Sequence, residues 1–164
     1  ELLEADLHHG LWAGFHLPFA ATPLLWWHNF IEDRNLYGYF RALARYAEGE
    51  DFAKDRLFPG SAVFSGNGAD KVAALVMKSN EKALMWIYFP AKLRTVNAYP
   101  REQATGEITC RITDLAPARY TIRFWNTFTG EIVQEIAARS NGGVLEFSLP
   151  KLTNDCAVKI TVDR

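Results

Sequence analysis

The side chains best suited to chemistry sit in one nine-residue stretch, Thr22 to Phe30, which reads TPLLWWHNF. Apolar positions run into Trp26 and Trp27, then into the hydrogen-bonding side chains of His28 and Asn29. Side chains alternate along a strand, so Trp26 and Trp27 are expected to point in opposite directions. One is then core while the other stands at a mouth, unless both are simply buried aromatics at a strand end. His8 and His9 form a second cluster, with His16 about two helical turns on. Neighbouring residues on a helix diverge by about 100°, whereas metal ligation favours i, i+4 spacing and a third ligand. These histidines are therefore expected at the surface or in helix packing. Glu1 and Glu4 read as solvated charges that suit the first turn of a helix.

Other reaction chemistries find little support. The sequence has no G-x-S-x-G nucleophile elbow, and Gly66 and Gly68 are too few for a phosphate-binding loop and lack a following helix. Cys110 and Cys156 have no metal-ligand spacing and each lies in an alternating apolar pattern. They are expected as buried free thiols, or as a disulfide if their strands are neighbours. No metal and no cofactor is expected.

The elements that must position these groups divide the chain in two. Leu3, Leu7, Leu11 and Phe15 recur every four residues as a helical stripe that Pro18 should stop. Pro23 to Trp27 is a short apolar run expected as a buried strand. Asp33 or Asn35 is placed to cap a second helix, with Leu36, Phe40, Leu43 and Ala47 on one face and Gly49 closing it. Residues 1–52 therefore read as helix, strand, helix. Residues 53–68 are irregular and read as a linker. Residues 69–164 read as at least seven short strands, with turn signals at Ser79 to Lys82, Asn126 to Gly130 and Asn141 to Gly143. The expected fold is mainly β, an antiparallel sandwich preceded by a short α/β segment. Within it, Trp86 and Tyr88 share one face of a strand whose other face, Met85, Ile87 and Phe89, is also apolar. That pair reads as core, covered on both sides, more readily than as an exposed platform. Trp125 reads as packing at a sandwich corner, and Lys92, Arg94 and Arg101 as scattered, solvated charges.

Composition agrees with two parts. The 164 residues are 49% apolar, enough for one domain or a small domain with an appendage. Net charge is −1, which gives no support to a nucleic-acid partner. Through Asp51, three basic residues face eight acidic ones; beyond it, fifteen face eleven. All four histidines and three of the five tryptophans also fall in the first part. No run approaches the roughly 18 apolar residues of a membrane span, so no membrane partner is expected. The chain opens on Glu1 rather than Met and reads as a piece of something longer, or as a processed chain.

The run HHGLWAGFHLPFAATPLLWWHNFIEDRNLYGYFRALARYAEGED resembles the last part of a clan-A-like, cellulase-like (β/α)8-barrel glycoside hydrolase. The segments ARYTIRFWNTFTGEIV, GGVLEFSLP and NDCAVKI resemble the β-sandwich that follows such barrels. The resemblance implies that residues 1–52 are the end of a barrel and that the general acid and nucleophile, glutamates of earlier strands, lie upstream. This chain alone would then be inactive, although its parent is a retaining hydrolase, secreted or periplasmic. It further implies that the tryptophan ending the last barrel strand is a platform for a sugar ring. Trp27 is assigned that role and Trp26 the core, although the two could be reversed. His28 and Asn29 become rim residues for sugar hydroxyls. The expected partner is a polysaccharide or oligosaccharide; the alternative is a non-catalytic carbohydrate-binding or structural sandwich module. Apolar faces at Leu3, Leu7, Leu11, Leu36, Phe40 and Leu43 need cover, either from the sandwich or from another copy, and so suggest a homo-oligomer or a missing upstream barrel.

Overall fold

The four-residue stripe folds as a helix, α1, spanning Leu2–His16. A computed structural model of the protein describes residues 2–17, 27–94 and 107–163. Pro23 to Trp26, most of the expected strand, lie outside the described residues, as do Glu1, Tyr99 and Arg101. Trp27 is not extended: with φ −96° and ψ 8° it precedes a short helix, α2 (His28–Asp33), and its carbonyl accepts from the Ile31 N–H at 2.9 Å. Helix α3 follows at Tyr37–Ala47. Neither Asp33 nor Asn35 caps it, because Asp33 ends α2 and Asn35 takes a left-handed φ of 50° to turn the chain between the helices. Gly49 does close α3, at φ 76°.

Besides short 3-10 turns at Ala69–Lys71 and Pro90–Arg94, the remaining described elements are strands: β1 (Phe58–Gly60), β2 (Val63–Gly66), β3 (Ala73–Lys78), β4 (Lys82–Tyr88), β5 (Ile108–Ile112), β6 (Arg119–Asn126), β7 (Ile132–Arg139), β8 (Leu145–Ser148) and β9 (Cys156–Val162). β1 and β2 correct the expectation of a linker over residues 53–68. Pro59, Gly60 and Gly66 hide a strand pattern there, yet Phe58 pairs with Lys78 and Val63 with Arg111. All pairings are antiparallel, in a six-stranded sheet of order β1-β3-β4-β9-β6-β7 and a three-stranded sheet of order β2-β5-β8.

Two cores result, one on each face of the larger sheet. Alternating residues Val76, Met85, Ile87, Ile122, Phe124 and Val158 meet Ile108, Cys110, Ile112 and Phe147 of the smaller sheet, giving a sandwich interior. The opposite face presents Met77, Leu84, Trp86 and Ala157 to Trp12 of α1, Tyr46 of α3 and Leu57. Strand β4 is consequently buried on both sides, which is why residues 83 to 87 are apolar without alternation. Trp86 and Tyr88 stack at 4.6 Å within this second core. Trp125 lines the same layer, and Tyr46 packs against it edge-on. Leu7, Leu11 and Leu36 form a third cluster between α1 and the α2–α3 pair. These three leucines are covered within one chain and require no second copy, whereas Leu3 is 48% exposed. Cys110 and Cys156 lie on different sheets as free, buried thiols, and burial pushes both up to about 12.

The β6–β7 turn is where the layers touch most closely. Gly130 has φ 67°, and a Cβ there would stand 2.6 Å from the Ala42 carbonyl oxygen and 2.8 Å from its Cα. Gly142 has a similar φ, 58°, in the β7–β8 turn but open space around it. Gly130→Ala is therefore expected to cost about 2–4 kcal/mol in urea unfolding, and Gly142→Ala only about 1 kcal/mol. Equal losses would show that contact with α3 is not what Gly130 provides.

Candidate functional site

His28 and Asn29 open α2 as exposed side chains at the mouth of a cleft of about 440 Å³ between α2 and α3. Ile31, Glu32, Tyr37 and Phe40 complete its lining. Two aromatic rings and an isoleucine give apolar walls; an imidazole, an amide and a carboxylate give hydrogen-bonding capacity. The Tyr37 ring is 51% exposed and its hydroxyl donates to Glu32 Oε2. That bond, with a little desolvation and the carboxylate charge, holds the phenol above its ordinary value. Trp27 stands behind the cleft, half-buried, its ring edge-on to Phe30 at 6.2 Å and packed in the cluster of Leu7, Leu11 and Leu36. His28 and Asn29, paired in the sequence reading, line this cleft together with Glu32 of α2 and Tyr37 of α3, which that reading did not single out.

The cleft is held on the sheet by α1. His8, fully buried, donates from Nε2 to Asp155 Oδ2 at 2.8 Å, and Trp86 Nε1 donates to the same oxygen at 2.6 Å. Burial pushes the Asp155 carboxyl up, but the charge of His8, the two hydrogen bonds and the charge of His9 outweigh it and leave the group below its ordinary range. The His8 ring stacks on Phe128 of the β6–β7 turn, with centroids 4.2 Å apart. From the same turn the Thr127 carbonyl accepts from Trp12 Nε1 at 3.1 Å, and the Thr129 carbonyl accepts from Arg45 of α3 at 2.9 Å. At the far end of α1, buried His16 donates from Nδ1 to its own helix at the Trp12 carbonyl, 2.8 Å away. Its Nε2 lies 3.3 Å from the Tyr46 hydroxyl, which donates to the Val158 carbonyl of β9 at 2.9 Å. The histidines are thus helix-packing groups, and no cluster of three or more potential ligands for a metal occurs among the described residues. Glu4 pairs with Arg34 at 3.1 Å, tying α1 to the end of α2.

A charged group lies under α3. Glu50 takes Lys159 of β9 on Oε1 at 2.7 Å and Lys82 of β4 on Oε2 at 2.5 Å, and Lys82 also meets Asp55 at 2.5 Å. Burial works against a charge on Lys82, but the bonds to Asp55 and Glu50 prevail and hold its ammonium above the ordinary value. The Lys159 ammonium lies 5.1 Å from the rings of both Tyr46 and Trp125.

Solved structures that this chain resembles include glycoside hydrolases. One titled simply as a glycoside hydrolase aligns over 90% of this chain and 29% of its own, at 15% identity and a TM-score of 0.49. The noncanonic maltogenic α-amylase AmyB of Thermotoga neapolitana aligns over 99% of this chain and 37% of its own, at 11% identity and 0.44. A glucosidase from Croceicoccus marinus aligns over 61% and 28%, at 14% identity and 0.39. The chain thus spans about a third of the length of these enzymes. No protein-family model matches the sequence, and no curated protein matches it significantly.

Asp155 was the residue hardest to foresee. Its signal was an acid directly before an apolar strand, in NDCAVKI, but nothing local connects it to a histidine 147 positions earlier. Lys159 gave a clearer signal, a cation inside a buried strand that demands an acid partner. Removing one member of a buried pair strands the other, so Asp155→Ala is expected to cost about 3–5 kcal/mol in urea unfolding. A double-mutant cycle with His8→Ala should return a coupling of about 1 kcal/mol or more. Strict additivity would mean that the pair is not a working contact.

Proposed function

We propose that this chain is the C-terminal part of a retaining glycoside hydrolase, with residues 1–52 derived from the end of its barrel and the two packed sheets, from β1 onward, forming an accessory sandwich. On this reading it contributes a sugar-facing rim and lacks the catalytic pair. One observation carries the proposal: His28 and Asn29, singled out by the sequence resemblance, stand at the mouth of an aromatic-walled cleft of about 440 Å³ on a helical layer anchored to the sheet. Small-molecule sites typically enclose about 300–1,000 Å³ with apolar walls and a few placed polar groups. Tyr37 supplies the ring at the cleft itself, while Trp27, the platform implied by the resemblance, packs against Phe30 and does not line the cleft. His28, Asn29 and Glu32 offer donors and acceptors for hydroxyls.

The chemistry of hydrolysis supports the division of labour. Retaining enzymes hold two carboxyl groups about 5–5.5 Å apart across the scissile bond. The cleft lining has one carboxylate, Glu32, already engaged by the Tyr37 hydroxyl. A binding role fits that arrangement better than a cleaving one. The parent is read as secreted or periplasmic, and no cofactor is invoked.

The test is a titration with defined β-linked oligosaccharides, read by tryptophan emission and by calorimetry, alongside a reducing-sugar assay. Saturable binding without release of reducing ends is expected, weakened about tenfold, or about 1.4 kcal/mol, by Tyr37→Ala. Failure of every sugar to bind would overturn the proposal, and turnover by the isolated chain would overturn its inactive status.

A further inference from the structure

We propose that α1 is an acid-released clamp: the histidines it seats in the joint let the helical layer leave the six-stranded sheet in mildly acidic solution while the two-sheet sandwich stays folded. The inference starts from an imbalance in the joint. Three of the four histidines lie on α1, and His8 and His16 are 0% and 1% exposed. Histidine is the side chain whose charge changes between about pH 5 and 8, so one short helix carries most of the chain's capacity to respond there.

The three imidazoles meet different surroundings. His8 faces the Asp155 carboxylate from the segment before β9, the Tyr39 ring of α3 and the stacked Phe128. His9 lies 5.9 Å from Trp86 of β4 and feels His8, Asp155 and Asp6. Among the described residues no carboxylate faces His16. Its polar neighbours are the Trp12 carbonyl and the Tyr46 hydroxyl, and the Phe15 ring lies against it. Tyr46 in turn meets Lys159, a cation, whose partner Glu50 is spent on two lysines. A proton on His16 therefore enters a buried site to which the described residues bring no facing counter-charge.

The sign follows from linkage. Burial lowers docked His16 from 6.5 to about 4, with the Trp12 hydrogen bond offsetting only part of the effect. Released, the ring regains its ordinary affinity for a proton. Docking is then fully favoured above pH 6.5, weakens as pH falls, and has lost about 150-fold in its equilibrium constant by pH 4. His9 is also lowered, chiefly by burial, and acts in the same direction. Asp155, held below its ordinary value, keeps its contribution through this window and loses it only at lower pH.

The joint is separate from the sandwich interior. The sandwich core, including Met85, Phe124 and Val158, and the helical joint, including Trp12, Tyr46 and Trp86, are distinct clusters on opposite faces of one sheet. Trp12 and Trp86 lie in the joint and report on it directly. His28 and Asn29 belong to the layer that α1 anchors, so release would also displace the cleft.

The experiment is an acid titration of the full chain, following near-ultraviolet circular dichroism and tryptophan emission for the joint and far-ultraviolet circular dichroism for the strands. The expected result is a joint transition between pH 6.5 and 4 with the strand signal retained. His16→Asn can keep the bond to Trp12 without titrating, and His16→Phe fills the site should the first variant fold poorly. Each is expected to move the joint transition down by at least about one pH unit. Loss of both signals in a single step would overturn the proposal, as would an unshifted transition in the folded variants or an unchanged joint signal down to pH 4.

Discussion

One constraint governs this molecule: the middle of the six-stranded sheet, β4 above all, is apolar on both faces and must be covered twice. The smaller sheet covers one face, but a three-stranded partner cannot wrap around to the other. Helices α1 and α3 answer that second demand, and Trp12 and Tyr46 are large enough to fill the space over Leu84 and Trp86. At about 25 cal/mol per Å² of apolar surface, the burial of two such rings is among the largest favourable terms the helical layer has. Without that layer, Met77, Leu84, Trp86 and Ala157 would form an exposed apolar patch of the kind that drives association.

Apolar burial alone would leave the helices free to slide, and the polar contacts set their position. Asp155 reaches α1 and β4 at once through His8 and Trp86. Glu50 joins the end of α3 to two strands through Lys82 and Lys159. Each of these groups is costly to bury singly and acceptable when paired, so each penalises any other placement of the helices. The β6–β7 turn adds a steric term, because at Gly130 it passes within contact distance of the α3 backbone.

How much of this was legible in the sequence depends on range. Period-two alternation located β5, β6 and β8, and the unbroken apolar run at 83–87 marked β4 as a strand covered on both faces. The four-residue stripe located α1, and Gly49 marked the end of α3. Local signals failed where two short edge strands contain Pro59, Gly60 and Gly66, since edge positions tolerate residues that a central strand excludes. They failed again at Trp27, where an apolar run suggested an extended chain but the backbone turns into α2. Of the candidate site, His28 and Asn29 were legible from a motif. Glu32 and Tyr37 were not, because their relation to the cleft depends on how α2 and α3 fold back. The contact between His8 and Asp155 is a product of tertiary structure and leaves no local trace.

Strand β9 is late in the chain yet lies near the middle of the larger sheet, between β4 and β6. On a ribosome, the β3–β4 and β6–β7 hairpins emerge first, each with one side unpaired, and neither can join the other until β9 arrives. Long-range pairings of this kind close slowly, and nascent hairpins with open edges are exposed to chaperones and to one another while they wait. Asp155 immediately precedes that strand, so the lock on α1 forms in the same late event that completes the sheet. Helix α1, which precedes every described strand, is therefore among the last of these elements to be secured.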